Sequence, residues 1–152
     1  MIHGYHVILT MYGYWLPNDP RGSWSDFVGR WELVQFGRPR RAVLKKSLSE
    51  LTPQEISTRN AAQRALLYPP VTLSDDQVKS VAAGFADLVR KSGYTVWACA
   101  IMPQHAHLVI VRHTYKVEQI ATLLKGAATR QIVEDRRHPM QHSEANGQLP
   151  SM

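Results

Sequence analysis

Two runs rich in β-branched and aromatic residues, "YTVWACAIM" (Tyr94 to Met102) and "HAHLVIVR" (His105 to Arg112), are separated only by Pro103 and Gln104. Strands joined by two residues run antiparallel, so this stretch predicts a β-hairpin, although Pro-Gln is not the favoured turn chemistry. Within the second strand His105, His107, Val109 and Val111 alternate with Ala106, Leu108 and Ile110. Alternation sends the two sets to opposite faces of a sheet, and both imidazoles therefore share one face.

The hairpin also orders what surrounds it. "YHVILTMYG", Tyr5 to Gly13, reads as an opening strand. Thr52 as N-cap, Pro53 at the first helical position and Glu55 in the first turn predict a helix to about Leu67, closed by Pro69 and Pro70. Ser74, Asp75 and Asp76 open a second helix, in which Val78, Val81, Ala82, Phe85, Leu88 and Val89 form one apolar stripe before Gly93 stops it. Lys116 to Arg137 repeats the helical spacing through Val117, Ile120, Leu123, Leu124 and Ile132, with Gly126 as a weak point. Between the opening strand and the first helix lies turn-rich sequence that is expected to expose Trp15, Arg21 and Trp24, followed by "RWELVQFG", read as a short strand or extended arm.

The resulting order, strand-helix-strand-strand-helix, is that of a ferredoxin-like α+β sandwich with an antiparallel sheet and helices on one face. A chain of 152 residues suits a single domain, here residues 1–152 with an insertion at about 14–68. No apolar run is long enough to cross a bilayer, and the first residues lack a signal peptide's basic start and cleavage site. The single Cys99 excludes an internal disulfide framework and a multi-cysteine zinc site. The expectation is a cytoplasmic protein with no membrane partner.

Eighteen Lys and Arg against twelve Asp and Glu give a net charge of +6, which permits a polyanionic partner. Arg38, Arg40, Arg41, Lys45 and Lys46 crowd into "GRPRRAVLKK", while Lys125 and Arg130 lie on the last expected helix. A solvated face is the ordinary use of such residues; tracking of phosphates is the functional one. Arg21, Trp15 and Trp24 could similarly stack on unpaired bases or simply anchor a loop.

Burying an imidazole carries a penalty unless it is hydrogen-bonded or ligated. In a strand, Cα atoms at i and i+2 lie about 6.5–7 Å apart, close enough for two rings to converge on one ion. Imidazole ligation without cysteine leaves Mg²⁺, Mn²⁺ and Zn²⁺ open. A histidine-triad nucleotide hydrolase would need a third histidine where Val109 stands.

"MPQHAHLVIV" resembles the Met-Pro-Asn-His-Val-His-Leu signature of HUH single-tyrosine transposases, especially the REP-associated tyrosine transposase-like group. "GYHVILTMYG" is similar to that family's opening strand, "YTVWACAIM" to the strand leading into the motif, and "IATLLKGAATRQI" to the helix after it. The likeness covers most of Gly4 to Gly13 and Lys79 to Ile132, with Gln104 in place of the usual Asn and Ala106 smaller than the usual hydrophobic residue. It implies cutting and rejoining of single-stranded or hairpin DNA through a phosphotyrosine, a divalent ion (Mg²⁺ or Mn²⁺) held by His105 and His107, and a homodimer.

The resemblance also implies a nucleophilic tyrosine on a downstream helix, yet no tyrosine follows Tyr115. Tyr115 is a weak candidate for that role, and the unpatterned ending "HPMQHSEANGQLPSM" reads as a truncated C-terminus. The alternative is a catalytically inactive DNA-binding module. A third metal ligand is implied from the same missing helix, for which Gln131, Glu134 and His113 are the substitutes present.

Overall fold

The computed structural model describes residues 1–23, 25–42 and 44–139. Trp24 and the ending from Met140 onward lie outside the described residues. The elements are β1 (Gly4–Thr10), α1 (Trp31–Val34), a 3-10 turn (Leu48–Glu50), α2 (Pro53–Arg64), α3 (Asp75–Ser92), β2 (Val96–Ile101), β3 (His105–Val111) and α4 (Val117–Glu134). The chain is thus mixed α+β, and it forms two compact units: Met1–Thr10 with the chain from Thr72 onward, and Met11–Val71.

The first unit is built on the hairpin. β2 and β3 pair antiparallel, and the Met102 N–H donates to the His105 carbonyl at 2.8 Å to close the turn. β1 pairs with the other edge of β3, giving the order β1-β3-β2, so the strand that carries both histidines is central. Alternation along β3 is complete: Ala106, Leu108 and Ile110 are at most 1% exposed, whereas every odd-numbered position is half-buried.

The buried face of the sheet is covered by α3 and α4. Ser74 caps α3 by accepting from the Gln77 N–H, and Gly93 ends it at φ 69°, a left-handed conformation that glycine adopts without a Cβ penalty. Val81 and Phe85 of α3 and Ile120, Leu124 and Ile132 of α4 fill the core beneath the strands. Each such side chain contributes about 1.5–3 kcal/mol through burial. Where the helices cross, Gly84 faces Ala127 and Ala128, and a Cβ on Gly84 would stand 2.7 Å from the Ala127 carbonyl oxygen.

The second unit has its own small core of Leu16, Leu33 and Ala62, ringed by Val28, Phe36 and Leu66. "RWELVQFG" does not form a strand or extended arm. It makes one helical turn, α1, because Leu33 enters that core and Asn18 Nδ2 donates to the Leu33 carbonyl at 2.8 Å. The helix expected to reach Leu67 ends at Arg64, although its start is as read: Thr52 and Glu55 cap one another reciprocally. Arg21 is not exposed. Its guanidinium forks onto Asp19 through two 2.8 Å bonds, donates to the Tyr14 carbonyl and lies 3.7 Å over the Trp15 ring, while Trp15 Nε1 donates to the Gly22 carbonyl.

Candidate metal centre

The histidine face of β3 is the face that the helices leave uncovered. Its register with β1 sets Thr10 against His105, Ile8 against His107 and His6 against Val109. β1 also alternates, so Tyr5 and Leu9 turn toward the helices while His6 and Ile8 turn the other way, both exposed. His6 is then the diagonal neighbour of His107, within reach for two imidazoles.

The three rings meet. His105 and His107 have ring centroids 4.8 Å apart at 79°, and His6 Nε2 stands 2.9 Å from His107 Nδ1. Partial desolvation, then the His105 and His6 rings, hold the His107 imidazole below its ordinary pKa. Its neutral form, the only form with a lone pair to offer an ion, is thereby favoured. Two half-buried imidazoles on one strand face fit a divalent ion in donor chemistry. Among the described residues, no group of three or more His, Cys, Asp or Glu is arranged to hold a metal ion. His105 and His107 therefore offer two points of attachment, with His6 joined to one of them.

The substitutes for a third ligand sit elsewhere. Gln131 and Glu134 belong to the helix layer, where they line a cavity of about 210 Å³ with Gly84, Asp87 and Lys91. Gln131 Nε2 donates to Asp135 Oδ1 at 3.0 Å. His113 lies beyond the far end of β3, with its ring 4.9 Å from that of Tyr94 and 5.4 Å from that of Tyr115, and its Nδ1 accepts the Tyr115 N–H. Tyr115 belongs to this aromatic cluster too, separated from the imidazoles by the length of the strand from His107 to Val111, about 13 Å. Tyr5 is on the helix side and Tyr94 is buried, so among the described residues of this unit no tyrosine shares the histidine face.

The basic residues divide by what they already touch. Arg40 and Lys46 both approach Glu55, at 3.5 and 3.6 Å, and Arg41 pairs with Asp26 at 2.6 Å. Lys45 lies 5.2 Å from the centre of the Trp15 ring, its ammonium pKa lowered by burial and then by Arg21. Arg38 is exposed. Lys125 and Arg130 are exposed on α4, in the layer on the opposite side of the sheet from the imidazoles. Arg21 is spent on Asp19 and packing.

The sequence alone gives His6 no role. Its signal was parity within "YHVILT", but only the register of β1 on β3 turns parity into a contact, and register is not written in a single strand. No protein-family model matches the chain. No curated protein matches it either.

Proposed function

We propose that this chain is an HUH-type protein of DNA transposition, whose sheet carries the metal-binding site of a single-stranded DNA endonuclease and strand-transferase. The observation that carries the reading is the pair His105 and His107 on the open face of the central strand, with His107 biased toward its neutral form. The order β1-β3-β2 with helices on one face supports a ferredoxin-like sandwich. His105 and His107 are the residues that would hold Mg²⁺ or Mn²⁺. When bound, such an ion supplies Lewis-acid polarisation of a phosphate oxygen.

In the reaction of this class a tyrosine oxygen attacks the scissile phosphorus, the bond to the 3′ oxygen breaks, and that oxygen leaves as a free 3′-OH. The new phosphotyrosine conserves the bond energy needed for rejoining. Single-stranded or hairpin DNA is the assigned partner. Exposed cations such as Arg38, Lys125 and Arg130 are suited to its phosphates, and a homodimer is the assigned assembly.

A second reading is favoured by the placement of the tyrosines: a DNA-binding module that holds the ion and the strand without cutting. Incubation with a labelled hairpin oligonucleotide and Mn²⁺, followed by denaturing electrophoresis, separates the two. A covalent adduct that disappears in His105→Ala supports the nuclease; salt-sensitive binding without adduct supports the module. Absence of binding at low salt would sink both.

A further inference from the structure

We infer that His6 is a positioning residue for this site: its Nε2 accepts the Nδ1–H of His107, which leaves the His107 Nε2 lone pair free for an ion. The inference rests on the metal-site reading above and names what prepares that site. The argument begins with ring geometry. His6 and His107 have centroids 5.1 Å apart and planes only 15° from parallel, with nitrogens 2.9 Å apart. The nitrogen separation falls short of the centroid separation by nearly the two ring radii, which requires both nitrogens to lie on the line joining the centroids. The rings are therefore edge to edge in almost one plane, not stacked face to face. That plane holds the imidazole lone pairs and N–H bonds, so the contact is a well-directed hydrogen bond.

A neutral imidazole has one donor nitrogen and one acceptor nitrogen. Two protonation patterns satisfy the contact, and they have opposite consequences. If His6 Nε2–H donates, His107 carries its own proton on Nε2, and that nitrogen cannot ligate. If His107 Nδ1–H donates into the His6 lone pair, His107 Nε2 is an open donor atom. Metal-bound histidines are commonly fixed in this second way by an acceptor behind the ring, usually a carboxylate or a carbonyl. Here the acceptor is another imidazole, supplied by the neighbouring strand. His105 meets His107 edge to face, with centroids 4.8 Å apart and planes at 79°, whereas His6 meets it nearly in plane.

The test uses the full chain in four forms: wild type, His6→Leu, His6→Gln and His105→Ala. Calorimetric titration with Mn²⁺ gives affinity, and long-range ¹H–¹⁵N correlation of the metal-free protein gives the His107 tautomer. The expected result is a His107 proton on Nδ1 in the wild type and in His6→Gln, whose side-chain oxygen can accept it. In His6→Leu the proton is expected on Nε2, with Mn²⁺ affinity weakened about 10–100-fold. His105→Ala should bind no Mn²⁺. A wild type that binds Mn²⁺ with the His107 proton on Nε2, or a His6→Leu variant of undiminished affinity, overturns the role of His6 alone. A wild type that binds no Mn²⁺ overturns the metal site and the inference with it.

Discussion

The Arg21 guanidinium forks onto the Asp19 carboxylate with two 2.8 Å bonds, both side chains nearly removed from water at 10% and 0% exposure. Arg59 adds a longer contact to the same carboxylate at 3.5 Å. Leaving a buried charge with no partner costs about 3–5 kcal/mol, and with Arg59 still beside Asp19 that range is the upper bound for loss of Arg21. Arg21→Ala should therefore unfold the Met11–Val71 unit at markedly lower denaturant, as followed by Trp fluorescence. A variant that keeps wild-type stability but loses DNA binding would instead identify Arg21 as a nucleic-acid contact.

Two glycines should respond in opposite directions to alanine. At Gly84 a Cβ would press on the Ala127 carbonyl carbon and oxygen at 3.0 and 2.7 Å, backbone atoms that yield only if α3 and α4 separate. Gly84→Ala is expected to lose about 1–3 kcal/mol through overpacking. At Gly126 the nearest atom is Arg130 Nη1 at 3.3 Å, the end of a movable side chain. Gly126→Ala should then gain about 0.5–1 kcal/mol from reduced backbone freedom in the unfolded chain. Thermal melts of the two variants check the pair, and equal shifts would contradict the close helix crossing.

The contrast between those glycines shows what sequence can convey. The apolar stripe of α3, its Ser74 cap and its Gly93 stop were all legible, because each depends on residues within one helical turn or on one period. The alternation of β3 was legible for the same reason, and with it the shared face of His105 and His107. What escaped depends on contacts distant in sequence. α1 exists because Leu33 docks against Leu16 and Ala62, and His6 reaches His107 only through strand register; Arg21 is the exception, withdrawn from water by its near neighbours Asp19 and Trp15, which the folded path of the loop brings onto it. The candidate site, legible as two imidazoles on one strand face, is in the fold those two imidazoles with a third ring, His6, hydrogen-bonded to one of them.

Acid should weaken the anchorage of the α4 C-terminus. Asp135 accepts from Ser80 Oγ at 2.6 Å and from Gln131 Nε2 at 3.0 Å, and these two bonds, then Arg137, hold its carboxyl below the ordinary carboxylate pKa. A depressed folded-state pKa contributes stability that is present above the unfolded-state value and is lost as pH falls through the folded-state value. The stability difference between wild type and Asp135→Asn should be constant near neutrality and shrink between about pH 5 and pH 2. Urea titrations across that range test it, and a difference independent of pH would refute the assignment.

The last prediction concerns Glu55, whose carboxylate joins helix capping to charge masking. It accepts from the Thr52 N–H at 2.9 Å and also approaches Arg40 and Lys46. Gln at this position can still complete the capping box through its side-chain oxygen, so α2 keeps its start. What it cannot do is hold two cations. If the proposed DNA partner is correct, Glu55→Gln releases Arg40 and Lys46 to phosphates. Hairpin affinity should then rise at low salt, and the log-log salt dependence should steepen by about 0.7 for each phosphate newly contacted on a single strand. Fluorescence anisotropy at a series of salt concentrations measures both quantities. An unchanged slope would show that this basic cluster does not meet the nucleic acid, and would leave phosphate contact to Arg38, Lys125 and Arg130.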